Sequence, residues 1–365
     1  MTTRPTGVGH YLMAAVNVWS EQRADVDFVL LAHKPLHPQA ASALRRAANV
    51  RFDVCPTAHL PTNGLWWLAR GFSKRAKSIG ATHLWGAGGM LPPAGGAGLA
   101  TLLTVHDLVY RSLPWTMSAR SRVAHSIFAG RSIRNADVIW AVSEYTAREI
   151  ERFYPHRRAK QTIIGCGLNP LRACAELTPQ RLSSFTRHYG VHDRTLLFVG
   201  TTEPRKNVGF LLSLMPQLAR SGCALLIVGC GGWGRSDLAS IVEADNFPRE
   251  SVRFCDYVPD EDLQALYRSA AFFVSASLME GFGLPHLEAM SAGCPVIAAA
   301  NSAVIEVVSA GGCLIEGWDR AHWVRSIEQA FEKRDALKSA AHHNALRHSI
   351  ANACSAASAF LQTDR

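Results

Sequence analysis

The chain has 365 residues, 48% of them apolar and 18% charged, a balance that excludes intrinsic disorder and, with the length, predicts two domains. The net charge of +9 is unevenly placed: residues 1–185 hold 22 Lys+Arg against 10 Asp+Glu, the remainder 16 against 19. No apolar run reaches the roughly 18–20 residues of a membrane span and the start lacks a signal-peptide pattern, so a cytoplasmic protein is expected, with any membrane contact peripheral.

The basic first half fits either a well-solvated face or an anionic partner such as phospholipid headgroups. Nine cysteines, odd in number and without a Cys-x-x-Cys pair, read as small core residues in a reducing cytosol.

In chain order, Gly7-Val8-Gly9-His10 reads as a glycine-rich turn ahead of a helical run at 11–18. So few residues precede it that a first strand has no room, and the true start is expected upstream of Met1. Strands are predicted at 27–32, 50–54, 82–86, 100–105 and 137–142. Asp25-Val26-Asp27 could pass for a pair of metal-binding carboxylates, but it lies at the start of a strand, the wrong end for a ligand, and no metal is expected. Over 64–79, Leu65, Leu68, Phe72 and Ile79 share one helical face, Arg70, Lys74 and Lys77 another, with Trp66 and Trp67 near the boundary. That pattern fits a helix packed on a sheet, and equally one lying at an anionic membrane surface.

Pro170, Pro179 and polar residues break the pattern over 170–192. Short apolar runs then return at 195–200, 223–229, 251–255, 271–275 and 295–299, separated by helix-length segments, as in parallel sheets covered on both faces. The fold class expected is α/β, with two doubly wound Rossmann-like domains facing a cleft: 1–180, 181–340, and a terminal helix over 341–365 packing back on the first domain.

The chemistry concentrates at two strand ends. Strand 195–200 runs into Thr201-Thr202-Glu203-Pro204-Arg205-Lys206-Asn207, and a helix follows from Val208. A basic pair just before a helix N-terminus sits where positive potential already gathers, which favours a phosphate, although a solvated turn is the commoner fate of a lone Arg-Lys. Strand 271–275 delivers Glu280, then Gly281-Phe282-Gly283-Leu284-Pro285, then a helix carrying Glu288. Glycines let backbone N–H groups approach a phosphate or sugar closely, and each carboxylate can accept bonds from paired hydroxyls. Gly229-Cys230-Gly231-Gly232-Trp233-Gly234 matches the dinucleotide pattern G-x-G-x-x-G, but Trp233 crowds the turn and the acidic partner, Asp256, comes late; no nicotinamide cofactor is expected.

The segments from Glu203 to Asn207 and Glu280-Gly-Phe-Gly-Leu-Pro-His-Leu-Glu288-Ala-Met, followed by Gly293-Cys294-Pro295-Val296-Ile297, resemble the retaining glycosyltransferases of group 1, which have the GT-B fold. Thr104-Val105-His106-Asp107, Ala136-Asp137 and Ser143-Glu144 look like landmarks of the same family, so the resemblance covers most of the chain. It implies that Arg205 and Lys206 stabilise a departing diphosphate, that Glu288 holds the nucleotide ribose, and that Glu280 binds hydroxyls of the transferred sugar with the backbone of Gly281, Phe282, Gly283 and Leu284. His106 would approach the reacting centre from the other domain, and Gly7, Gly9 and Thr201 would lie near donor or acceptor phosphate. Several relatives carry an arginine where this chain has Thr201, which leaves Arg205 to supply that charge.

The resemblance further implies a metal-independent transfer from a nucleotide diphosphate sugar, GDP-mannose first, to a glycan or polyprenyl-linked acceptor in bacterial polysaccharide biosynthesis. UDP-glucose and dTDP-rhamnose stay open as donors, and an epimerase of related fold is the rival reading. No nucleic-acid partner is expected.

Overall fold

A computed structural model describes residues 7–44, 47–55, 67–93, 98–168, 178–229 and 235–362. The chain divides into two compact units, Met1–Leu171 with Ser349–Arg365, and Arg172–His348. The terminal segment joins the first unit only from Ser349, so 341–348 stays with the second.

The first unit holds two parallel sheets. Strand β1 (Phe28–Ala32) pairs with β2 (Val50–Val54); β3 (His83–Gly86), β4 (Ala100–Val105), β5 (Val138–Ala141) and β6 (Gln161–Ile164) follow in spatial order. Every residue of β4 and β5 is buried, as expected of central strands in a parallel sheet. Strand β6 was not foreseen: it is an edge strand with only Ile163 buried, and its apolar run is short, Ile163-Ile164. The core is built on aromatic rings, with Trp85 and Trp140 stacked at 5.9 Å and Tyr11 and Trp19 meeting both edge-on. The helix Ile350–Ala357 closes this unit from the far end of the chain: the Trp19 indole donates to Ser358 Oγ at 3.0 Å, and Arg23 donates to the Ser358 carbonyl.

One expectation for this unit is corrected. Gly7 and Gly9 do not form a turn; they stand in the first turns of a helix, Gly7–Gln22, where Gly9 is buried. In the 64–79 region, residues 64–66, and with them Leu65 and Trp66, lie outside the described residues. The rest forms a π-helical turn, Trp67–Gly71, and the α-helix Phe72–Ser78. Trp67 is buried, Phe72 packs on the core, Arg75 donates to Asp53 at 2.7 Å, and Lys74 and Lys77 are exposed. Asp25 and Asp27 are each bound by an arginine, the largely buried Arg23 and the exposed Arg51 respectively, both at 2.6 Å.

The second unit is one six-stranded parallel sheet: β7 (Thr195–Val199), β8 (Ala224–Val228), β9 (Val252–Cys255), β10 (Phe272–Ser275), β11 (Val296–Ala299) and β12 (Gly312–Ile315), in the order β12-β11-β10-β7-β8-β9. The chain builds outward from β7 to β9, then returns to the other side of β7 and builds outward again. The order therefore reverses between β7 and β10, the place where open α/β sheets present ligands. Both loops singled out in the sequence leave the sheet there. Strand β12, unforeseen, opens with a glycine and buries only Ile315. The glycine-rich run after β8 lies outside the described residues beyond Gly229, whose φ of +94° lets it approach Gly200; a Cβ there would stand 2.9 Å from the Gly200 carbonyl oxygen.

Candidate active site

The loop after β7 ends in a short 3-10 turn, Pro204–Lys206, and then Asn207, held in the left-handed region at φ 52°, from which the helix Val208–Leu218 starts. Asparagine is among the few side chains that tolerate this conformation. The Leu278 amide donates to the Arg205 carbonyl at 2.8 Å, fastening the β7 loop to the β10 loop.

Glu280 is the hub. Its carboxylate is buried and accepts bonds from Arg205 Nη1 at 2.9 Å, Lys206 Nζ at 2.6 Å and Ser277 Oγ at 2.8 Å. Burial alone works against its ionisation, but the charges of Lys206 and then Arg205 outweigh it and hold the group well below the usual carboxylate range. Arg205 makes a further bond to the Met279 carbonyl, and its guanidinium lies 3.7 Å from Glu203. The Glu280 amide donates to Ser302 Oγ at 2.9 Å, Ser302 donates to Asn301, and Asn301 donates to the Ser277 carbonyl. The sequence reading missed Ser277, Asn301 and Ser302. Ser277 was visible as the first residue of a Ser-x-x-Glu spacing; the other two arrive from the loop after β11 and carry no local sign.

Gly283 takes φ +97° at the N-terminus of the helix Leu284–Ser291, whose first-turn amides have no partners within the helix. Glycine is required twice over, since a Cβ would also lie 2.8 Å from His286 Nδ1. Gly281 and Phe282 are buried beside it, and Glu288, half-buried one turn into the helix, accepts a bond from the Tyr267 hydroxyl at 3.3 Å. The structure thus gathers Arg205, Lys206, Glu280 and the glycine loop at one strand junction, with Glu288 on the helix that leaves it. Thr201 is exposed at the head of the β7 loop.

His286 was passed over as the start of a helix. Its ring is 2% exposed, meets Phe273 edge-on at 5.1 Å, and has no hydrogen-bond partner at either nitrogen. Burial lowers its pKa to about 4, against the opposing pull of Glu280. In the unfolded chain the group protonates near 6.5. The unfolded state therefore binds the extra proton first, and stability falls as pH drops from about 6.5 toward 4, by up to roughly 3 kcal/mol. We expect His286→Phe, which keeps the ring, to lose this limb: between pH 6.5 and 4 its melting temperature should fall less than that of the parent. Parallel melting curves would discard the assignment.

In the first unit His106 is held by two contacts. Its Nε2 bonds the Ala87 carbonyl at 2.7 Å, and the Tyr11 ring stands edge-on to it at 5.0 Å. Burial lowers its pKa, which favours the neutral ring with the proton on Nε2 and a lone pair on Nδ1.

Two family profiles divide the chain. Residues 5–172 match one described as Glycosyltransferase Family 4, and 193–333 match one described as Glycosyl transferases group 1. With the Glu280–Glu288 segment and the two parallel-sheet units, they place the chain among the group 1 glycosyltransferases of GT-B fold; it belongs to that family. It is 37% identical over 210 residues to O-antigen chain mannosyltransferase B of Escherichia coli, covering 54% of this chain and 53% of that one. It is 34% identical over 156 residues to a D-inositol 3-phosphate glycosyltransferase of Salinispora arenicola, covering 39% and 35%. The chain thus spans about half or less of the length of these curated relatives. Its fold is shared with WaaG, a glycosyltransferase involved in lipopolysaccharide biosynthesis, at a TM-score of 0.75 and 16% identity over 99% and 98% of the two chains. Anabaena Alr3699/HepE, solved with UDP and glucose, gives 0.77 and 16% over 99% and 97%.

Proposed function

We propose that the protein transfers a hexose, with retention, from a nucleotide diphosphate sugar to a glycan or lipid-linked saccharide acceptor in bacterial polysaccharide biosynthesis. GDP-mannose is the preferred donor, on the strength of the E. coli mannosyltransferase relative. The single observation that carries the reading is the convergence of Arg205 and Lys206 on buried Glu280 at the reversal of strand order. Two cations converge on one buried carboxylate, with Glu203 also 3.7 Å from Arg205, and the positions of the cations are set before any ligand arrives. Such preorganisation is what a developing diphosphate charge needs, because the site does not have to rearrange as the glycosidic bond breaks.

In this scheme Glu288 takes the ribose hydroxyls and the first-turn amides after Gly283 face the phosphates or the sugar. Glu280 Oε1 already accepts two bonds, so Glu280 acts first as the anchor of the cation pair and offers the sugar only its remaining acceptor capacity, on Oε2. His106, neutral, supplies a polar group from the first unit. The departing phosphate helps deprotonate the acceptor hydroxyl, so the scheme calls for no protein nucleophile and no metal. No helix of the described residues is long and apolar enough to cross a membrane, and we place the protein at the cytoplasmic face as a peripheral one.

A donor panel tests this. With GDP-mannose and a polyprenyl-linked saccharide, nucleoside diphosphate release should exceed that with UDP-glucose or dTDP-rhamnose, and should fall when acceptor is withheld. Preference for another nucleotide would replace the donor, and conversion of the donor sugar without any acceptor would favour an epimerase.

A further inference from the structure

Between Leu108 and Ala136 the sequence has five arginines and no Asp or Glu. This stretch includes the 3-10 turn Pro114–Thr116 and the helix Ala119–Asn135, which begins at a Ser118 cap accepting from the Ser121 amide. The helix is fixed to the first unit along one side by Ala129, Ser132 and Ile133, all buried, and Gly130 leaves room for the Tyr154 hydroxyl, which a Cβ would meet at 2.9 Å. Along the opposite side, at spacings of three and four, stand Arg120, Val123, Ile127, Arg131 and Arg134, all exposed. At 3.6 residues per turn they fall within an arc of about 80°. Val123 is 54% and Ile127 58% exposed, one turn apart, and Trp115, just ahead of the helix, is 68% exposed.

We propose that this strip is the surface by which the protein docks on an anionic lipid bilayer. The helix lies flat, with Trp115, Val123 and Ile127 entering the headgroup boundary and the arginines on the same face binding lipid phosphates. A guanidinium pairs with phosphate through two parallel N–H bonds, and an indole is suited to a boundary with one wet and one apolar side. Charge decides the occupant. A second copy of the chain docked about a two-fold axis would set this arginine strip against itself, a like-charge contact that opposes association. An anionic bilayer supplies both the apolar layer and the counter-charge. The strip also differs from the 64–79 segment, whose described aromatic residues turn inward. The proposal does not rest on the donor chemistry.

Co-sedimentation of the full chain with vesicles of phosphatidylglycerol and phosphatidylcholine, against phosphatidylcholine alone, tests it. The parent chain should bind the anionic vesicles and release from them as salt rises. Replacing Arg120 and Arg131 together with Gln should lower partitioning by about 30-fold. Trp115→Ser with Val123→Ser and Ile127→Ser should lower it at least about tenfold, and Lys74→Gln with Lys77→Gln less than either set. All these side chains are exposed, so melting temperature should stay with the parent, which separates lost docking from lost fold. Failure of the parent to bind anionic vesicles, or equal binding by the strip variants, overturns the proposal. A dimer that the Val123 and Ile127 substitutions dissolve would also overturn it, by assigning the strip to a second copy.

Discussion

Lys206→Ala is expected to lower kcat by about 10²–10³-fold and to change the donor KM far less. Lys206 is held at 2.6 Å from Glu280 with 12% of its side chain exposed, where water screens little of its charge. A group placed in advance interacts most with charge that appears as the bond breaks, so its removal raises the barrier more than it weakens the ground state. Arg205 keeps its Met279 contact, and the Leu278–Arg205 backbone bond does not involve the Lys206 side chain, so the donor pocket should persist. Lys206→Arg restores charge but not the compact ammonium geometry, and should recover only part of the loss. Steady-state measurement of nucleoside diphosphate release separates kcat from KM. An unchanged kcat would remove Lys206 from the chemistry.

What the sequence discloses depends on how local the cause is. All ten strands expected from apolar runs are present; in the central ones, such as β4, β5, β10 and β11, burial on both faces is written into consecutive apolar positions. β6 and β12 are edge strands marked by short apolar runs only, Ile163-Ile164 and Cys313-Leu314-Ile315, and so escaped. Arg205, Lys206 and Glu280 were legible through their positions at strand ends; the Glu280 amide's bond to Ser302, 22 residues on, belongs to tertiary structure. The two glycines at 7 and 9 misled because glycine permits a turn without requiring one, and here both stand in the first turn of a helix. Over 64–79 the amphipathic spacing does not say whether an apolar face meets protein or lipid. Trp67 and Phe72 meet protein, while Trp115, Val123 and Ile127, apolar and exposed one after another, belong to a stretch that no sequence argument had picked out.

Glu280→Ala is expected to destabilise the second unit by about 3–5 kcal/mol, more than any other single change in the site. The loss has two parts. Arg205 and Lys206 would face each other without the carboxylate that reconciles them, and the buried Ser277 hydroxyl would lose its acceptor. Glu280→Gln separates the two, because the amide oxygen can still accept from Ser277 while the counter-charge is gone; its stability should fall between parent and alanine variant. The pH dependence has a definite sign. Because the folded state holds the Glu280 pKa below its unfolded value near 4.3, the ionised group stabilises the fold fully above that value and progressively less as pH falls below it. The gap in melting temperature between parent and Glu280→Ala should therefore be widest at pH 6–8 and narrow steadily below about pH 4. His286 lies beside this carboxylate and titrates in the fold near the same pH, so the comparison is best made in a His286→Phe background, where only Glu280 remains to move the gap. A gap that stays constant down to pH 3 would mean that the carboxylate's charge does not hold the cation pair, and that Ser277 and the backbone bonds fix the site without it.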